Sequence, residues 1–119
     1  MSQNEAGMYA ALLMGDMGAE VIKVEPINGD SLRESNNYRL YNRGKKSICI
    51  DLANMKDAKH FDELITNSDV FIQTYLINES ESAFLDYNSI ATKNESLIYC
   101  SIPPYGDSGP LCNVRGDDG

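Results

Sequence analysis

Tryptophan is absent from the 119 residues, histidine occurs once, and cysteine three times. One imidazole excludes a multi-histidine metal centre and leaves Ser101, Ser108 and the thiols without a histidine to pair with. His60 itself falls between Lys59 and Asp62 on the polar side of a predicted helix, which reads as a surface position. Cys49, Cys100 and Cys112 are odd in number and match no zinc spacing. Cys49 and Cys100 are expected to act as small strand hydrophobes, and a reducing cytoplasm is the expected compartment. No apolar run reaches the roughly 18 residues that span a bilayer, and the first residues lack the basic start of a secretory signal. Positive charge is also scarce: ten Lys and Arg face eighteen Asp and Glu, for a net charge of −8. That balance argues against nucleic acid as a partner.

What the chain does hold is an alternation of apolar patterns. Glu5 to Met17 reads as a helix, with Ala6, Ala10, Leu13 and Met17 at helical spacing and Gly18 placed to end it. Glu20 to Glu25 is β-branched and stops at Pro26, which predicts a strand. Residues 26–37 read as a loop, with Asn28-Gly29 as a turn signal. Ser47 to Leu52 is a second strand, with Ile48, Ile50 and Leu52 on one face. Asn54 can cap a following helix whose buried stripe is Ala58, Phe61, Leu64 and Ile65. Asp69 to Tyr75 and Ser96 to Ile102 predict two more strands, with a short helix over Leu85 to Lys93 between them.

Strands alternating with helices imply a parallel α/β sheet, whose ligands sit beyond the carboxyl ends of the strands. The predicted order opens on a helix, so the expected sheet lacks its first strand and exposes an apolar groove. A fragment, marginal when isolated, is the expectation.

Against the acidic background, three of the ten cations cluster: Arg43, Lys45 and Lys46 flank Gly44 just ahead of the second strand. Cations beside a glycine can hold phosphate oxygens, because the glycine lets backbone N–H groups come close. A solvated loop is the competing reading. Glu25 could grip a ribose hydroxyl, but Gly7, Gly15 and Gly18 do not form the glycine-rich turn that a dinucleotide fold requires. The pair Asp117-Asp118 consists of adjacent carboxylates, which ordinarily point apart.

Several segments, in order, resemble one family, the family III CoA-transferases with the related α-methylacyl-CoA racemases. AGMYAALLMGDMGAEVIKVEP is similar to the family's opening helix and strand, NGDSLR to its loop, and YNRGKKSICIDL to its N-R-x-K-[RK]-S-[IV]-x-[IL]-D-L segment. SDVFIQTY and SLIYCSIPPYGDSGP resemble the third strand and the segment ending in aromatic-Gly-x-x-Gly-Pro.

The resemblance implies a Rossmann-like domain, here a partial N-terminal CoA-binding domain over residues 1–119. It implies coenzyme A esters and carboxylic acids as substrates, no tightly bound cofactor, and an interlocked homodimer. The transferases move CoA between acids through an aspartyl-CoA intermediate. Their nucleophilic aspartate falls beyond Gly119, so no catalytic residue is expected within this chain. Carried over by position, Arg115 matches a lysine near CoA, Ile50 an apolar residue beside the adenine, and Arg43, Lys45 and Lys46 the basic turn. Thr74 and Tyr75, in the stretch after the third strand, complete the implied CoA-binding set. The departures are specific. Pro26 stands where an arginine is usual, Gln73 to Asn78 replaces E-N-F-x-P-G, Ser82 replaces an arginine, and Asp117 stands where the racemases place a histidine. A racemase or epimerase, and a non-catalytic structural half of a divergent or double-length member, are the alternatives.

Overall fold

The computed structural model describes residue 1 and residues 4–76, 84–114 and 116. Along the chain run α1 (Glu5–Asp16), β1 (Ile22–Glu25), a 3-10 turn (Ser31–Glu34), α2 (Tyr38–Tyr41), β2 (Lys46–Cys49), α3 (Met55–Thr66), β3 (Val70–Gln73), α4 (Tyr87–Ala91) and β4 (Ile98–Ser101).

Each long helix begins where a side chain can satisfy its free amides. The Gly7 amide donates to Asn4 Oδ1 at 2.9 Å, and the Lys56 amide donates to Asn54 Oδ1 at 2.9 Å. Gly18, at φ 100°, turns the chain out of α1, a conformation that favours glycine. The buried face of α1 is Gly7, Met8 and Leu12, whereas Leu13 and Met17 are exposed, so the predicted stripe is displaced. α1 is apolar on most sides, and polar partners select the face: Met8 Sδ accepts from Lys23 Nζ and from Asn42 Nδ2. In α3 the stripe holds, with Phe61 and Ile65 buried.

The strands pair in parallel, as expected for alternating α/β order, but as two separate pairs. β1 lies beside β2 with Ile22 opposite Lys46 and Glu25 opposite Cys49. β3 lies beside β4 with Val70 opposite Ile98 and Gln73 opposite Ser101. One hydrophobic core joins both pairs: Val24 and Ile50 pack with Phe61, Ile65, Phe71, Tyr75, Leu85 and Ile90. Phe61 meets Phe71 edge-on at 6.0 Å between ring centroids. Between β1 and β3 lies a cavity of about 450 Å³.

Three expectations are corrected. Residues 26–37 are not simply loop, since Ser31–Glu34 forms a 3-10 turn, and Tyr38–Tyr41 adds a helical turn after it. Glu25, as acceptor at the end of β1, holds both: it accepts from Arg33 Nε at 2.9 Å and from Tyr38 OH at 2.6 Å. Ile48 does not share the buried environment of Ile50, because all four residues of β2 are exposed while Ile50, just past the strand, is 4 % exposed. For the same reason Cys49 is exposed rather than a core thiol, and Cys100 is half-buried.

Candidate functional site

The parallel pairs give the molecule two rims, one where strands begin and one where they end. The basic cluster sits at the beginning of β2. Gly44, at φ 75°, makes the turn, and the Lys46 amide then donates to Val21 O at 2.9 Å, which sets the register with β1. Each cation of the cluster has a partner within the protein. Arg43 Nη2 donates to Asp16 Oδ2 at 2.7 Å, and Lys46 Nζ to Glu20 Oε1 at 2.6 Å. Lys45 Nζ donates to Met8 O at 2.7 Å and to Asn42 Oδ1 at 3.1 Å. Burial, assisted by the nearby charge of Lys23, lowers the Lys45 ammonium to about 8. The trio thus fastens the end of α1 and the start of β1 to the turn.

The ends of the strands carry a different chemistry. At the end of β1, Glu25 is 1 % exposed and is the acceptor of a charge-assisted network. Arg33 Nη2 reaches its Oε2 at 2.5 Å, the Asp30 amide donates to the same oxygen, and Lys23 Nζ stands 4.0 Å from Oε1. Burial pushes the Glu25 carboxyl up, but the hydrogen bonds from Tyr38 and Arg33 and the charges of Lys23 and Arg33 outweigh it and hold the group below its ordinary value. Lys23, also buried, pairs with Asp30 and lies 4.4 Å from the Tyr38 ring centroid. Loop 26–41 is therefore pinned to the end of β1 by buried charge.

Beyond β2 and β3 the chain places Ile50, Thr74 and Tyr75, all buried. Ile50 and Tyr75 belong to the same core, so the ends of the two strand pairs converge there. Gln73 orders this rim: its Nε2 donates to Ser101 Oγ at 2.8 Å, and its Oε1 accepts from the Tyr75 amide at 2.6 Å. Tyr99 OH in turn donates to Leu85 O at 2.7 Å.

The structure thus brings two of the sequence-predicted residues, Ile50 and Tyr75, into one core at the carboxyl rim, and buries Thr74 next to Tyr75 in the chain. It sets Arg43, Lys45 and Lys46 apart at the amino rim. Arg115, Ser82 and Asp117 lie outside the described residues. Sequence reasoning missed the Lys23–Glu25–Asp30–Arg33–Tyr38 network. Its signal was a lysine and a glutamate two apart in an otherwise apolar strand, which puts both on one face. Among the described residues no group of three or more His, Cys, Asp or Glu could hold a metal ion. No helix there is long and apolar enough to cross a membrane.

In parallel α/β layers ligands sit beyond the carboxyl ends of the strands, and comparison with known proteins places the chain. The sequence profile of CoA-transferase family III matches residues 1–119. The chain belongs to CoA-transferase family III. It is 39% identical over 123 residues to the succinyl-CoA:glutarate CoA-transferase of Homo sapiens, covering 95% of this chain and 28% of that protein. It is 36% identical to the succinate–glutarate CoA-transferase of Agrobacterium fabrum, covering 95% of this chain and 32% of that one. Its fold is similar to the crystal structure of a CAIB/BAIF family protein from Brucella suis, with a TM-score of 0.85 and 31% identity over 98% of this chain and 35% of the other. The family III chain described here therefore spans about a third of the length of such relatives.

Proposed function

We propose that residues 1–119 form part of the CoA-binding layer of an enzyme that moves CoA between carboxylic acids through an aspartyl-CoA intermediate. The observation that carries this reading is the carboxyl rim, where Ile50 and Tyr75 share one core at the ends of two parallel strand pairs, with Thr74 buried beside Tyr75 in sequence. Family membership over the whole chain supports the substrate class, CoA esters and carboxylic acids. In this reading Ile50 and Tyr75 form the apolar floor under the adenine, Thr74 offers a hydroxyl at its edge, and Arg115 supplies charge for the phosphates. The nucleophilic aspartate is supplied from beyond Gly119, and the assembled enzyme is an interlocked homodimer of the cytoplasm.

The basic cluster is given a supporting role. Recruiting Arg43 or Lys46 to a phosphate would first require their separation from Asp16 and Glu20. Calorimetry with CoA on the full-length parent tests the assignment. Ile50→Asp and Arg115→Ala are expected to weaken binding at least tenfold, and Arg43→Ala to leave it within twofold. Tight binding by both rim variants would overturn the assignment.

One observation favours a second reading, a structural half that binds no CoA. On the carboxyl rim the described cations are already engaged, Arg33 with Glu25 and Lys23 with Asp30. Absence of CoA binding by the parent's wild-type site would select that reading.

A further inference from the structure

Lys45 differs from the paired lysines of this chain in the company its nitrogen keeps. Lys23, Lys46 and Lys93 each meet a carboxylate, in Asp30, Glu20 and Asp62. Lys45 Nζ instead donates to two neutral oxygens, Met8 O at 2.7 Å and Asn42 Oδ1 at 3.1 Å, and makes no ion pair among the described residues. An ammonium offers three hydrogens and a neutral amine two. Both bonds therefore survive loss of the proton, and the lone pair is left over for another atom.

The surroundings favour that loss. Lys45 is half-buried, and Lys23 of β1, itself buried, adds a like charge. The Met1 amino group, which donates to Ile72 O at 2.8 Å, lies close enough for Lys45 to help lower it to about 5. Asp16, which lines the same cleft as Lys45, is taken by Arg43. The larger cavity, which Lys45 also lines, adds Asp69 and Glu20, the latter held by Lys46. With the ammonium held at about 8, about one in four is neutral at pH 7.5, against about one in a thousand for an ordinary lysine.

There is also room to react. Lys45 lines a cleft of about 310 Å³ between the end of α1 and the basic turn, walled by Ala11, Gly15, Ala19 and Gly44. Walls this small leave space for a short acyl group.

We propose that Lys45 is a modification site, acylated at Nζ by acyl thioesters, the class of compound that CoA-transferases handle. The neutral amine attacks the thioester carbonyl carbon and the C–S bond breaks. The sulfur leaves as a thiolate, and the surplus proton of the nitrogen passes to it. Nothing is oxidised or reduced. The resulting amide keeps one hydrogen for two acceptors, so Met8 O or Asn42 Oδ1 loses its donor and the turn before β2 is loosened from α1. This inference is independent of whether the carboxyl rim binds CoA, because the donor needs only a reactive carbonyl.

The probe is a small thioester without a nucleotide, S-acetyl-N-acetylcysteamine, so its result stands apart from the CoA-binding reading. The chain is incubated with it at pH 7.5, hydroxylamine strips any thioester from the cysteines, and peptide mapping by mass spectrometry times the amides that remain. Lys45 is expected to acetylate at least tenfold faster than Lys56 and Lys59, which are exposed on α3, and to lose that preference in concentrated urea. Its rate is expected to level off above pH about 8, while an unstructured lysine peptide keeps gaining about tenfold per pH unit through 9. Asn42→Asp, which sets a carboxylate beside the nitrogen, is expected to slow Lys45 at least tenfold and to leave Lys56 and Lys59 as they were. Lys45 reacting no faster than Lys56 and Lys59, or keeping its preference in urea, would falsify the site. A Lys45 rate that climbs with pH as the free peptide does would overturn it too, whatever the variant does to folding.

Discussion

Lys45 Nζ donates to the carbonyl of Met8 at 2.7 Å across 37 residues of chain, tying the turn before β2 to the first helix. Because the folded state holds this ammonium at about 8, the unfolded chain binds the extra proton between about 8 and the ordinary lysine value. Stability is therefore expected to rise with pH from about 8 towards 10. Lys45→Met, which keeps the stem but has no proton to lose, is expected to flatten that slope. Urea titrations at several pH values measure it.

The Met1 amino group behaves in the same sense at lower pH. It is lowered to about 5 in the fold and titrates near 8 when unfolded, so its charging opposes folding below pH 8 and does so fully below 5. Stability is expected to increase with pH across that window. Nα-acetylation is expected to remove this increment while leaving an amide able to bond Ile72 O. Denaturation of the acetylated and free chains at pH 6 and pH 8.5 compares them directly.

Tyr38→Phe deletes the phenol that donates to Glu25 Oε1 at 2.6 Å. A buried carboxylate that loses one donor is expected to cost about 1–3 kcal/mol. The sign of the pH effect follows from the carboxyl being held below its ordinary value: its stabilisation is present above the unfolded value and is lost as pH falls through the folded one. In the variant that loss is expected to begin at higher pH. Acid titration followed by circular dichroism gives both midpoints.

Gly116→Ala would bring a methyl group to 2.4 Å from Pro104 Cβ. The turn after β4 must shift to admit it. A lower thermal midpoint is expected for Gly116→Ala, while Gly106→Ser, at a site with open space but a φ of 84°, reports backbone strain alone. Phe61→Ala removes a side chain 2 % exposed at the centre of the core and is expected to cost about 3–5 kcal/mol. Loss of a cooperative melt in that variant is the expected reading.

The two long helices and the strands were legible because their signals are local. Asn54 caps one helix, Gly18 ends another, and short β-branched runs mark strands. The family's ordered segments were legible for the same reason. The division into two strand pairs agrees with the expected sheet that lacks its first strand, but which strands pair was not legible, because no local pattern encodes which edge finds a neighbour. The partners of the basic turn were not legible either, because Asp16 and Glu20, which pair with Arg43 and Lys46, are distant from them in sequence. The sharp change from exposed Ile48 to buried Ile50 was not legible, because it arises only from where the strand stops.

Val24 and Phe71 stand on different strand pairs yet share one apolar cluster. Severing the polypeptide between those pairs would therefore release no self-sufficient piece, since each half would carry away only one side of a common interior. Limited proteolysis should accordingly degrade the molecule without leaving a persistent half-sized product, and any partner that clamps one pair transmits its grip to the other.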